Sequence, residues 1–123
     1  MKQDMELIRK ILILLEEKSD GTALTNADVK IDGYTTTEIG YHCRLLEDAG
    51  FVTEYEAKYA NNSLYCFWVG QLTWEGHEFL NKIRSETLWN KTVSFITQRG
   101  LPFALDVVKT VSSSLLQEML QNL

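Results

Sequence analysis

The chain is poor in the residues that staple or break a backbone: its 123 residues include two cysteines, one proline and seven glycines. Cys43 and Cys66 cannot build a disulfide framework, and neither sits in a Cys-x-x-Cys pair, so a reduced, cytoplasmic protein is expected. Long apolar runs are missing too. Stretches such as Ile11 to Leu15 fall far short of the ~20 residues that cross a bilayer. Glu16, Glu17 and Lys18 close that run without a small-residue cleavage site, so neither a membrane span nor a signal peptide is expected. Cations are also scarce: 12 Lys plus Arg face 17 Asp plus Glu, a formal charge of -5. Generic nucleic-acid and membrane-surface binding depend first on excess Lys and Arg, so this balance counts against both.

What is present is globular. With 45% hydrophobic and 24% charged residues, the chain is too apolar and too mixed in charge for disorder or low complexity. A chain of this length forms one compact domain with a core that needs neither disulfide nor metal.

Local patterns divide it into elements. Asp4 is an N-cap, and Leu7, Ile8, Ile11, Leu12, Leu14 and Leu15 fill about half the circumference of a helix that stops near Lys18, because Ser19-Asp20-Gly21 is turn chemistry. From Leu24 to Ile31 the period changes to alternation, with Ala27, Val29 and Ile31 set against Asp28, Lys30 and Asp32, which predicts a short strand. Thr35 and Glu38 have capping-box spacing and open a second helix that ends at Ala49-Gly50. Phe51 to Tyr59 and Ser63 to Val69, joined by Ala60-Asn61-Asn62, read as a β-hairpin. Thr73 caps a third helix to about Arg84, a fourth covers Thr87 to Gln98, and Pro102 opens a last one from Phe103 to about Leu120.

This order predicts an α+β, winged-helix-like domain with a β-hairpin wing and two additional C-terminal helices. One domain spans 1–123, with the winged-helix core over about 1–86 and the helical extension over about 87–123. The segment from Gly21 to Gly33 is extended where a standard helix-turn-helix carries another helix.

Several blocks carry a resemblance. They are Met1-Lys2-Gln3-Asp4-Met5-Glu6-Leu7-Ile8-Arg9-Lys10-Ile11-Leu12, then Gly33-Tyr34 leading to Ile39, Tyr41-His42, Leu45-Leu46 and Ala49-Gly50. The most specific is Leu72-Thr73-Trp74-Glu75-Gly76-His77-Glu78-Phe79-Leu80, followed by Trp89-Asn90-Lys91-Thr92. In these the chain resembles a family of short proteins common in phages, prophages and their bacterial hosts, a domain of unknown function similar to winged-helix proteins. The resemblance implies the fold and brings no activity, cofactor or catalytic residue.

If the second helix reads DNA, its contacts come from Thr36, Thr37, Tyr41 and Arg44, with Lys58 and Asn61 touching the backbone from the wing. A helical projection puts Ile39, His42, Cys43, Leu45, Leu46 and Ala49 inward and Gly40 outward with the polar residues. Arg44 is the one outward cation, and 21–50 as a whole is net -3, with Lys30 and Arg44 against five acids. The rival expectation is therefore an acidic protein-interaction module, in which Glu38, Glu47, Asp48, Glu54 and Glu56 meet a basic surface of a host or phage protein, even one that itself binds nucleic acid. On the last helix, Leu105, Val108, Val111, Leu115 and Met119 form an apolar stripe suited to packing within the chain or to a homodimer.

Enzymatic readings have little support. His42 and Cys43 are adjacent and diverge by about 100° on a helix, a poor metal pair. Nothing near His77 suggests a nucleophile, and the Trp74-Glu75-Gly76-His77 block is explained by packing, with Trp74 covering the hairpin and Gly76 permitting close backbone approach. No catalytic residue, metal or cofactor is expected.

Overall fold

A computed structural model describes all residues 1–123. Its internal contacts divide the chain into two compact units, Met1–His77 and Glu78–Leu123.

The first unit opens with helix α1, Met5–Lys18, whose N-cap Asp4 accepts the backbone N–H of Leu7. Such a cap stabilises a helix by about 1 kcal/mol. Met5, Leu7, Ile8, Ile11, Leu12 and Leu15 are all buried, the wide apolar arc expected from their spacing. Strand β1 is only Leu24–Thr25. The alternation that predicts strand as far as Ile31 belongs instead to a turn, because the Asp28 carboxylate accepts both the N–H and the hydroxyl of Thr25 and folds residues 26–28 back. These two bonds also hold the Asp28 carboxyl below its ordinary pKa. Of Ala27, Val29 and Ile31, only Val29 is fully buried. A second turn, with Gly33 at φ 87°, leads into helix α2, so 21–33 contains no helix.

Helix α2, Thr36–Asp48, carries the full capping box: Glu38 N–H donates to the Thr35 hydroxyl, and Thr35 N–H donates to the Glu38 carboxylate. The hairpin follows as β2, Tyr55–Ala60, and β3, Ser63–Val69. Asn61 and Asn62 have φ of 53° and 65°, the left-handed pair that a two-residue hairpin turn requires. The sheet is antiparallel with order β1-β3-β2, and its register slips between Lys58 and Tyr59. Phe51 and Val52, expected in the first hairpin strand, lie before it: both are buried, and Val52 bridges to Leu72.

Two glycines set how closely these pieces approach. Gly40 is buried on α2, where a Cβ would stand 2.6 Å from Leu64 Cδ2 and 3.1 Å from Phe67 Cδ2. Its projected outward position is thus corrected: the hairpin covers that flank of the helix. Leu45 is only half-buried and Ala49 is exposed, so the buried arc is rotated away from them toward Gly40. At Gly76, in helix α3 (Trp74–Ile83), a Cβ would collide with the Phe51 carbonyl, which accounts for glycine there. Trp74 is 74% exposed and so does not pack over the hairpin as expected.

The second unit holds the rest of α3, from Glu78, and a helical pair. Ser85 caps α4, Glu86–Gln98, and the pair is completed by α5, Leu105–Gln121. Gly100 at φ 65° ends α4, and Leu101 N–H donates to the Ile96 carbonyl, a Schellman-type stop. Pro102 lies outside α5 rather than in its first turn, since the helix begins three residues later after Ala104. Between the two helices, Trp89 and Phe103 stack at 5.8 Å, and Leu88, Ile96, Val108 and Val111 are buried.

Candidate functional site

On α2, Thr37, Tyr41, Arg44 and Asp48 follow the i, i+4, i+7, i+11 spacing that places residues on one helix face. The first three line a groove of about 240 Å³ that is closed on its other side by Tyr55, Tyr59, Asn62, Ser63 and Leu64 of the hairpin, with Met1 at its margin. Helix and wing therefore meet in one concavity, and three phenol rings line it.

The floor is rigid. Gly40 lets the hairpin close on the helix, and the Tyr55 ring lies 5.9 Å from that of buried Phe67. Tyr55 N–H donates to Glu47 Oε2 at 2.7 Å, tying the start of β2 to the helix. Burial, with smaller contributions from neighbours such as Tyr59 and Cys43, pushes the Tyr55 phenol up to about 12, so it stays a neutral donor at physiological pH. Burial alone pushes the Cys43 thiol up to about 12. A protonated, buried thiol is inert.

A second polar cluster anchors α2 to the start of α1. His42 is buried, its Nε2 accepts the backbone N–H of Asp4 at 2.9 Å, and its Nδ1 lies 2.7 Å from the Glu38 carbonyl. Nδ1 therefore carries the proton, because a carbonyl only accepts. Tyr34 donates its hydroxyl to Asp4 at 3.1 Å, and partial burial followed by that bond raises its pKa. This explains the His42 of the helix as structural. His77 lies 3.9 Å from Glu16 on the surface.

Of the residues expected to contact DNA, Thr37, Tyr41 and Arg44 come together in the groove, whereas Thr36, Lys58 and Asn61 are exposed outside its lining. Lys58 instead stands over the Trp68 ring at 5.5 Å. Arg44 faces Asp48 at 3.9 Å, an exposed pair worth little by itself. Sequence reasoning gave Tyr55 and Tyr59 no contact. The signal was their spacing of four, which places both on one face of a strand. Of the acidic set, Glu38 and Glu47 are engaged by backbone N–H groups, while Asp48, Glu54 and Glu56 are exposed.

Residues 2–102 match the model of the family described as "Hypothetical protein (DUF2513)". The chain belongs to this family. The match covers all of α1 to α4 and stops before α5. An uncharacterised protein of Haemophilus influenzae is 33% identical over 120 residues, spanning 98% of this chain and 99% of the relative, so the similarity to that protein includes α5. No solved structure matches the chain.

The helical pair of this DUF2513 chain presents a different concavity, about 470 Å³, lined by Phe95, Leu101, Val107, Val111 and Leu115 with Asp106 and Glu118 among its polar residues. Of the stripe expected to form a dimer interface, Val108 and Val111 are buried within the chain, Leu105 and Leu115 are half-buried and Met119 is 40% exposed. No helix is long and apolar enough to cross a membrane.

Proposed function

We propose that the chain is a non-enzymatic, cytoplasmic DNA-binding protein of phage or prophage type that engages DNA with α2 and the hairpin wing. The observation that carries this reading is the shared groove: Thr37, Tyr41 and Arg44 of the helix face Tyr59 and Asn62 of the wing across it. Thr36, next to Thr37 on the helix, and Asn61, next to Asn62 in the turn, add polar contacts toward a phosphate backbone. Lys58, over the Trp68 ring, instead alternates with Tyr59 and lies on the other face of the hairpin. The phage setting rests on the resemblance in sequence. A titration of duplex and single-stranded DNA over a range of salt tests the role. Binding of either at about 50 mM salt that Arg44→Ala weakens by about tenfold supports it, and absence of binding to both there, where phosphate contacts are strongest, refutes it.

A second reading is favoured by Asp48, which sits 3.9 Å from Arg44 and offsets the one cation of a helix that also carries Glu38 and Glu47. In that reading exposed Asp48, Glu54 and Glu56 dock on a basic host or phage protein, with Glu38 and Glu47 shaping the surface from within. Charge reversal at Asp48 and Glu54 then releases a purified stoichiometric partner. Either reading accommodates a homodimer through α5, whose Met119 and Leu120 are exposed, and sedimentation at several concentrations measures it.

A further inference from the structure

We infer that the groove between α2 and the hairpin receives a single unstacked base of single-stranded nucleic acid, held on Tyr41 and Tyr59. This rests on the reading that α2 and the wing bind nucleic acid, and it names the form of nucleic acid that fits.

Size comes first. At about 240 Å³ the groove is smaller than the pockets of about 300–1,000 Å³ that enclose drug-sized ligands, and it suits one ring system rather than a helix edge. Chemistry agrees. Three phenols and one guanidinium line it together with Leu64 and Met1, and base–aromatic stacking tolerates any sequence and is worth about 1–3 kcal/mol per base, affinity that the few cations here do not supply. The wall also carries groups that meet a base edge: the Asn62 amide offers a donor and an acceptor, Thr37 and Ser63 offer hydroxyls, and Tyr55 keeps its phenolic proton. Arg44 is left for one phosphate.

Charge separates this from duplex readout. A duplex binder gains its affinity by displacing counterions from several phosphates, and α2 presents Arg44 alone, with Asp48 at 3.9 Å. A chain of net charge -5 binds nucleic acid best where base contacts replace phosphate contacts. The Tyr59 ring is accessible for this: it is 64% exposed and lies two residues before Asn61 of the turn.

The test is fluorescence anisotropy with the full chain and labelled strands of about 12 nucleotides, a length within the usual site sizes for such proteins. Three probes are compared: a mixed-sequence single strand, the matching duplex, and an abasic strand of equal length. The expected result is preference for the based single strand, with log affinity falling by roughly 0.7 to 1.4 per tenfold rise in salt, the mark of one or two phosphates. Tyr41→Ala and Tyr59→Ala each weaken it about tenfold, Tyr59→Phe retains it, and Tyr65→Ala, on an exposed ring outside the groove, leaves it unchanged. Circular dichroism verifies that each variant folds. Equal affinity for the abasic strand overturns the inference. So does duplex preference with Tyr59→Ala silent, although α2–wing binding then stands. Failure of all three probes overturns both.

Discussion

Two concavities of this chain, one beside α2 and one on the α4–α5 pair, differ in kind. The one between α2 and the hairpin is small, about 240 Å³, and mixed in character, with tyrosines, an arginine and an asparagine in its wall beside Leu64 and Met1. The one on the α4–α5 pair is about twice as large and is walled mainly by Phe95, Leu101, Val107, Val111 and Leu115. Directional groups select a ligand by hydrogen-bond geometry and stacking, whereas an apolar wall gains by burial alone and accepts any surface that excludes water. Size is therefore a poor guide to where specificity resides. The smaller groove has the features of a recognition site, and the larger one those of an adhesive surface.

The contrast is open to attack at several points. The largest effect falls on the floor of the small groove: Phe67→Ala empties the space beneath Tyr55 and Leu64 and lowers stability by about 3–5 kcal/mol in denaturant unfolding. A loss under 1 kcal/mol would mean that the hairpin is not packed on α2 as described. Alkaline pH comes second. Burial raises the Cys43 thiol from its ordinary value of 9.0 to about 12, so the folded chain retains a proton that the unfolded chain releases above pH 9. The stabilisation is complete below pH 9 and is lost as pH climbs toward 12. Cys43→Ala flattens that decline in a pH series of unfolding curves, and Tyr55→Phe flattens a further part beginning nearer pH 10, because Tyr55 is displaced in the same direction. A matching thiol assay modifies half-buried Cys66 in the native chain and Cys43 only after unfolding.

Smaller still is Gly76→Ala, which drives a methyl into the Phe51 carbonyl and costs about 1–3 kcal/mol in thermal or chemical melts. The least change follows Leu115→Ser on the apolar groove. Leu115 is half-buried, so folding stability falls by about 1 kcal/mol or less, while any self-association through α5 is reduced in sedimentation. Unchanged association would remove the adhesive role from that surface.

Local chemistry was legible in the sequence and long-range packing was not. The Asp4 cap, the Thr35–Glu38 box and the Asn61–Asn62 turn were readable because each depends on residues within four positions of one another. The strand expected up to Ile31 failed at Asp28, whose side chain caps a turn that competes with the extended chain. Trp74 and Gly40 were misplaced for a common reason: which side of a helix is covered depends on where a distant hairpin lies, and a projection of the helix by itself does not contain the hairpin. The candidate site was half legible. Its helical wall followed from the outward spacing of Thr37, Tyr41 and Arg44, while the opposite wall depended on a register shift beside Tyr59 that only the folded sheet displays.

Gly40 has one more consequence. It does not line the groove, yet its missing side chain sets the distance between the two walls, since even a methyl there would press on Leu64, Phe67 and the Tyr55 hydroxyl. The aperture is thus controlled by an atom that is not there, and substituting alanine or serine at this position is a way to change the fit of a ligand while every chemical group that would touch it stays the same.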